Sequence, residues 1–210
     1  MSNKEIMSNL TFGNRWGKKM IKVSEFLCKD GFRSALMGVY YHNGDVVASD
    51  SHIMVVLKKS YDESNEGKVI TPKGKESPGQ YPDYQSAIRW TVETPALVIS
   101  ADLVEKMQRE IKSLAEDDRL YVVFSGKEGR IGFRLSELLS MFRLANICDK
   151  AAVYLHFKGL KMRIEADGVF AVATSIYLGD GDGEIKDSIA YNVNLDTGEV
   201  TYNEEAKPLY

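Results

Sequence analysis

Cysteine is scarce in this chain. Cys28 and Cys148 are the only two in 210 residues. They lie far apart and inside apolar runs, so they read as buried reduced thiols rather than a disulfide or a metal site. Long hydrophobic runs are also missing. No stretch nears the roughly 20 apolar residues that a membrane span needs. Residues 1–20 lack the continuous apolar segment of a secretory signal. The expectation is a cytoplasmic protein with no membrane partner. Histidine numbers only three, His42, His52 and His156, all within strand-like patterns. No HxH, HExxH or CxxC spacing exists, and there is no Walker lysine motif or GxSxG elbow. Asp180-Gly181-Asp182-Gly183-Glu184 starts like a calcium loop, but Tyr191 stands where the closing glutamate belongs. The sequence therefore implies no cofactor, no metal and no recognisable catalytic constellation.

What is present is the composition of a folded protein. Hydrophobic residues make up 44% and charged residues 27%, enough to bury a core as one large or two small domains. The net charge of −3 is unevenly spread. Residues 1–33 hold seven basic and three acidic side chains, whereas residues 179–210 hold two basic and eight acidic ones. An acidic chain can still bind DNA through one basic face, because local potential governs the contact.

The pattern along the chain is a helix followed by strands, three times over. In the first unit a helix is expected over Ser24–Lys29, with Ser24 as cap and Gly31 as stop. Strands follow over Ala35–Tyr41, Val46–Ser49 and Ile53–Lys58, with Asn43-Gly44 as a hairpin turn. The second unit has a strand Leu97–Ile99 and a helix Ala101–Leu114, with Leu103, Met107, Ile111 and Leu114 on one face. Strands Leu120–Phe124 and Arg130–Arg134 complete it. In the third unit Ser136 caps a helix to about Ile147, with Leu138, Leu139, Phe142 and Ala145 facing inward. Strands Ala152–Phe157, Leu160–Glu165 and Val169–Tyr177 follow, with turns at Lys158-Gly159 and Asp167-Gly168. Units one and three share an order of elements and a short match. Val39-Tyr40-Tyr41-His42 stands against Val153-Tyr154-Leu155-His156, which implies repeated architecture. The polar, Gly- and Lys-rich residues 60–78 read as exposed.

Two separated segments carry a family resemblance. Arg33–Leu57 holds strands broken at Asp50-Ser51-His52, and Gly79–Ile88 reads GQYPDYQSAI. Together they resemble the "ATDGHRLA" and "GRFPDY" segments of bacterial DNA sliding clamps. Arg130–Leu178 resembles the last half-domain of those clamps, where a strand runs straight into a helix. The arginine of "DGHRLA" is replaced here by Ile53, and the chain is much shorter than a three-domain clamp. It resembles a reduced or rearranged clamp of the kind phages and mobile elements encode.

The resemblance implies an α+β, DNA-clamp-like fold of repeated helix-plus-antiparallel-strand units, with helices on one face of curved sheets. It divides the chain into a first clamp-like half over 1–95, a second clamp-like region over 96–178 and an acidic C-terminal extension over 179–210. It implies a non-catalytic processivity or docking factor in DNA replication or repair. Its partners would be duplex DNA, held non-specifically through the backbone, and polymerase- or loader-type peptides. Homo-oligomer formation would be needed for a ring.

Candidate DNA-contacting residues are Lys22, Lys29 and Arg33 around the first helix and Lys106, Arg109 and Lys112 along one stripe of the second. Arg143 and Lys150, on and after the third, complete the set. Ion pairing with Asp102, Glu105 and Glu110 is the competing role for that stripe. Ser51, His52, Ile53, Met54, Pro82, Asp83 and Tyr84 match the clamp positions that form an apolar peptide groove, with ordinary strand and turn packing as their competing role. Two other readings stay open. One is a clamp-fold interaction module that does not encircle DNA. The other is an unrelated α+β enzyme built from scattered residues.

Overall fold

The computed structural model describes residues 11–13, 20–29, 31–58, 61, 63–90, 95–100, 119–145, 150–166, 169–178, 183–203 and 205–207. A small hairpin pairs β1 (Thr11–Gly13) with β2 (Met20–Lys22). The main body is an eight-stranded sheet. It is built from β3 (Val39–His42), β4 (Asp45–Ser49), β5 (Ile53–Lys58), β6 (Val69–Ile70), β7 (Leu97–Ser100), β10 (Lys150–His156), β11 (Lys161–Ala166) and β12 (Val169–Thr174). Its order is β6-β3-β4-β5-β12-β11-β10-β7, antiparallel throughout. A second sheet runs β13-β9-β8-β14-β15, from Ile176–Tyr177, Gly129–Arg134, Tyr121–Gly126, Ile189–Asn194 and Val200–Tyr202. Two α-helices are described, α1 (Tyr84–Ile88) and α2 (Leu135–Ala145).

The repeat read from the sequence is built into the large sheet. Strands β3-β4-β5 and β10-β11-β12 lie in mirrored order about the β5–β12 pair, where Val55 faces Ala171. Val39 and Tyr41 point into the core, as do Val153 and Leu155, while Tyr40, His42, Tyr154 and His156 face the other way half-buried. The matched quartets thus occupy corresponding places.

The hairpin turn at Asn43-Gly44 is confirmed. Both residues have positive φ, 51° and 78°, as the tight turn between right-twisted strands requires. The step at Asp50-Ser51-His52 is also a turn. The Asp50 carboxylate accepts from the backbone N–H of His52 at 2.8 Å and of Ile53 at 2.7 Å, holding Ser51 at φ 85°.

The core lies on one face of the large sheet, against α2 and the second sheet. Val46, Ala48, Ile53, Val55, Leu57, Ala171 and Ala173 pack there with Leu138, Met141 and Phe142 of α2. Apolar residues at 135, 138, 139, 141 and 142 keep the inward stripe of α2 continuous. Burying each large side chain is worth about 1.5–3 kcal/mol.

Several expectations change in detail. The helix over Ser24–Lys29 is a 3-10 turn, Val23–Phe26. Val23, Phe26, Leu27 and Cys28 are all buried, and the Cys28 N–H leaves the turn to bond Leu36 O at 3.0 Å and Ser49 O at 3.2 Å. The strand over Ala35–Tyr41 begins only at Val39, after a 3-10 turn at Ser34–Leu36. The helix expected to start after Ser136 starts at Leu135, straight out of β9, because the Leu135 N–H bonds Leu120 O at 2.8 Å. Residues 63–78 are not a bare loop. They include β6, which pairs with β3, and a turn in which Thr71 and Lys75 bond each other. The acidic C-terminal residues supply β14, parallel to β8, and β15. The helix at 101–114 and the turn at 167–168 lie outside the described residues.

Candidate functional site

The outer face of the large sheet, opposite the core, is crossed by the chain from Ser77 to Trp90. Tyr81 and Tyr84 are buried there against Leu36, Val47, Val56 and Val69, with Tyr40, Met54, Ile88 and Phe170 half-covered at the edges. Pro82 and Asp83 are exposed. Asp83 caps α1, its carboxylate accepting from the Ser86 N–H at 3.1 Å.

The seven groove candidates are therefore distributed over three places. Met54 and Tyr84 share the outer cluster. Ile53, its neighbour on β5, points the other way into the main core, as alternation demands. Ser51 and His52 form the hairpin tip, where His52 Nδ1 lies 3.8 Å from Glu137 Oε1 near the start of α2. The His52 carbonyl accepts from the Thr174 N–H at 3.1 Å. The seam between β5 and β12 sets Met54 opposite Val172 and Val56 opposite Phe170, all on the outer face. Phe170, Val172 and Ile88 were not singled out in the sequence. The repeat could have revealed the first two, since it places β5 and β12 at equivalent positions.

A polar network underlies the strap. The Tyr84 hydroxyl donates to Asp45 Oδ2 at 2.8 Å and lies 3.3 Å from His42 Nδ1. Asp45 is 3% exposed and its other oxygen faces Lys58 Nζ. Burial first, and then the bond to Asp45, pushes the Tyr84 phenol up to about 12. Burial pushes Tyr41 up to about 12 and Tyr81 upward too. In the unfolded chain such phenols ionise near pH 10. A raised folded pKa means stability that is whole below about pH 10 and lost as pH climbs toward about 12. The urea midpoint is expected to fall across that window, less steeply in Tyr84→Phe; a midpoint flat with pH would overturn this.

The strap's far end is clasped by Arg163 of β11. Its guanidinium lies between the Trp90 and Tyr154 rings, 4.8 and 4.7 Å from their centroids. Nη1 donates to Ile88 O at 3.1 Å and Trp90 O at 2.9 Å, and Nε lies 2.8 Å from Glu165 Oε1. Trp90 also stacks on His156.

Of the DNA-contact candidates, Lys29, Arg33, Arg143 and Lys150 are exposed. Arg143 pairs with Glu25 at 3.3 Å, which places the 3-10 turn Val23–Phe26 beside α2 on the core side of the large sheet. Exposed pairs of this kind contribute about 0–1 kcal/mol and leave the cation available. Lys22 lies in β2. Lys106, Arg109 and Lys112 fall outside the described residues. Among the described residues, no group of three or more His, Cys, Asp or Glu could hold a metal ion, and no helix is long and apolar enough to cross a membrane.

No family model and no curated protein matches the chain. Solved structures do. The DNA polymerase III beta subunit of Caulobacter crescentus superimposes with a TM-score of 0.58 at 15% identity, over 84% of this chain and 64% of that one. The Thermotoga maritima beta subunit gives 0.54 at 13% identity, over 85% and 65%. A Bartonella birtlesii sliding clamp bound to griselimycin gives 0.57 at 14% identity, over 73% and 62%. The chain spans just under two thirds of the length of these structures. Its fold is that of the bacterial sliding clamps, α+β, with α2 and the turn Val23–Phe26 on the core face of the large antiparallel sheet, the short α1 on the outer face, and one parallel pair, β8–β14, in the second sheet.

Proposed function

We propose that the chain is a non-catalytic docking and processivity factor of the sliding-clamp kind. The observation that carries this reading is the eight-stranded sheet made of two like units. In each, a helical turn or helix precedes three antiparallel strands and packs on the same face. DNA would meet that helix-bearing side through Lys29 and Arg143, with Lys22, Lys106, Arg109 and Lys112 as further candidates; Lys150 alternates onto the outer face with Tyr154 and His156, and Arg33 adjoins Ser34, which bonds Ser77 on that same outer face. Such contacts hold phosphates without reading bases, as sliding requires. Partner peptides would dock on the opposite face, along the seam where Met54 stands opposite Val172, between the hairpin tip Ser51–His52 and the strap residues Pro82, Asp83 and Tyr84. Encirclement of a duplex would need further copies of the chain.

Sedimentation with circular and linear duplex DNA tests the proposal. An oligomer retained on circles and lost from linear ends is the expected result. A monomer that ignores both DNAs at low salt would sink it. Lys29→Glu with Arg143→Glu should flatten the slope of log K against log salt by about one per lost phosphate contact. The second reading is an interaction module of clamp fold without DNA retention. Peptide binding without retention on circles would select it.

A further inference from the structure

The main core comes to the surface at a cleft of about 280 Å³, on the side of the large sheet away from Met54. Its floor is Leu155, at the end of β10, with Phe157 and Leu195 beside it. Leu155 is buried and the other two are half-buried. The walls are two turns. One joins β8 to β9 through Lys127 and Glu128. The other joins β14 to β15 and carries Asp196, and the Leu195 N–H bonds Ser125 O at 2.8 Å to tie the two together. Gly126 keeps the cleft open. A Cβ on it would stand 3.6 Å from Leu195 Cβ and 3.8 Å from Asp196 Oδ1, in ordinary contact. A larger side chain there would reach into the space.

We propose that this cleft takes an extended segment of a protein partner, with one large apolar side chain flanked by lysine or arginine. The volume and apolar floor suit one aromatic or leucine anchor. The charge selects its neighbours. Glu128 and Asp196 are exposed at the rim against the single Lys127, and Glu199 follows on the same hairpin. Of the acidic residues in 179–210, Asp196 and Glu199 lie at this turn, whereas Asp187 lies before the other end of β14, where the Lys207 N–H bonds its carbonyl. A basic segment is attracted to this end of the molecule and an acidic one repelled. The site is separate from the seam, so the two proposals can fail independently.

The test is fluorescence anisotropy with two labelled hexapeptide probes. Both have a central phenylalanine, flanked in one by lysine and arginine and in the other by glutamate. The basic probe is expected to bind, and the acidic probe to bind at least about tenfold more weakly. Gly126→Leu, which fills the cleft, and Asp196→Lys, which reverses its rim, should each weaken the basic probe by about tenfold or more. Gly126→Ala should melt like the parent, showing that the position tolerates a side chain. Asp196→Lys, at an exposed turn, carries the test if Gly126→Leu fails to fold. Equal binding of both probes, no binding of the basic one, or binding indifferent to Asp196→Lys would overturn the proposal.

Discussion

Arg163→Ala is expected to lower the free energy of unfolding by about 3 kcal/mol. The side chain is 12% exposed, and everything around it depends on the guanidinium. The Trp90 carbonyl loses its donor, the Ile88 carbonyl is left with the Trp90 N–H at 3.1 Å, Glu165 loses its counter-charge, and Trp90 and Tyr154 lose the cation packed on both rings. A buried acceptor left without a partner costs about 1–3 kcal/mol. Each ring contact with the cation adds about 0.5–2 kcal/mol. Arg163→Lys should recover little, because an ammonium cannot stack between two rings while bonding two carbonyls in its plane. Urea unfolding reads the loss, and the Trp90 emission should shift to the red as the strap loosens. A variant within about 1 kcal/mol of the parent would show that the clasp is incidental.

Gly38→Ala should cost about 2 kcal/mol or more. A Cβ at this position would stand 2.8 Å from the carbonyl carbon and oxygen of Ile70 and from Val69 Cγ1. Two of those atoms are backbone, so no rotamer change can relieve the clash. The sheet must give instead. Register between β3 and β6, Val39 opposite Ile70 and Tyr40 opposite Val69, would slip or open. The neighbouring bonds would go with it, Tyr41 N–H to Lys68 O and Gly67 N–H to Tyr41 O. Hydrogen exchange at Tyr41 and Gly67 should accelerate while the amides of β5 and β12 stay protected. Unchanged exchange at Tyr41 would show that the backbone absorbs the methyl group elsewhere.

These two sites mark what the sequence could and could not disclose. Short-range signals were readable. Asn43-Gly44 has a chemistry that only a tight hairpin uses, and Ile53–Lys58 is a strand from end to end. The β3 quartet and its match in β10 pointed to a repeat that the sheet order contains. A helix at Ser24 fails as an expectation because a cap followed by apolar residues also describes a 3-10 turn whose apolar side chains, Val23 and Phe26, are buried. The strap was hidden for a different reason. Its partners on the outer face, among them Tyr40 and Met54, are alternate residues of strands whose other face fills the core. Arg163 meets Ile88 and Trp90 across more than seventy residues of chain. The groove candidates lie in matched segments, and period-two alternation separates Ile53 from Met54 whatever the resemblance implies. The pairing of β5 with β12 joins distant strands, and no local spacing encodes it.

That pairing also sets when the protein can become itself. β5 is complete at Lys58, but the strand that covers its edge starts at Val169. β8 is complete at Gly126, but β14 does not begin until Ile189. While the chain is being synthesised, β5 waits with an open, strongly apolar edge, a hazard for sticking to other nascent chains. Closure across such a separation is slow because the intervening chain must first be gathered in. Closure of both sheets is therefore a late event, timed by the synthesis of β12 and β14, and a chaperone that shields the open edge of β5 until then would act on this molecule more than on one whose neighbouring strands are consecutive.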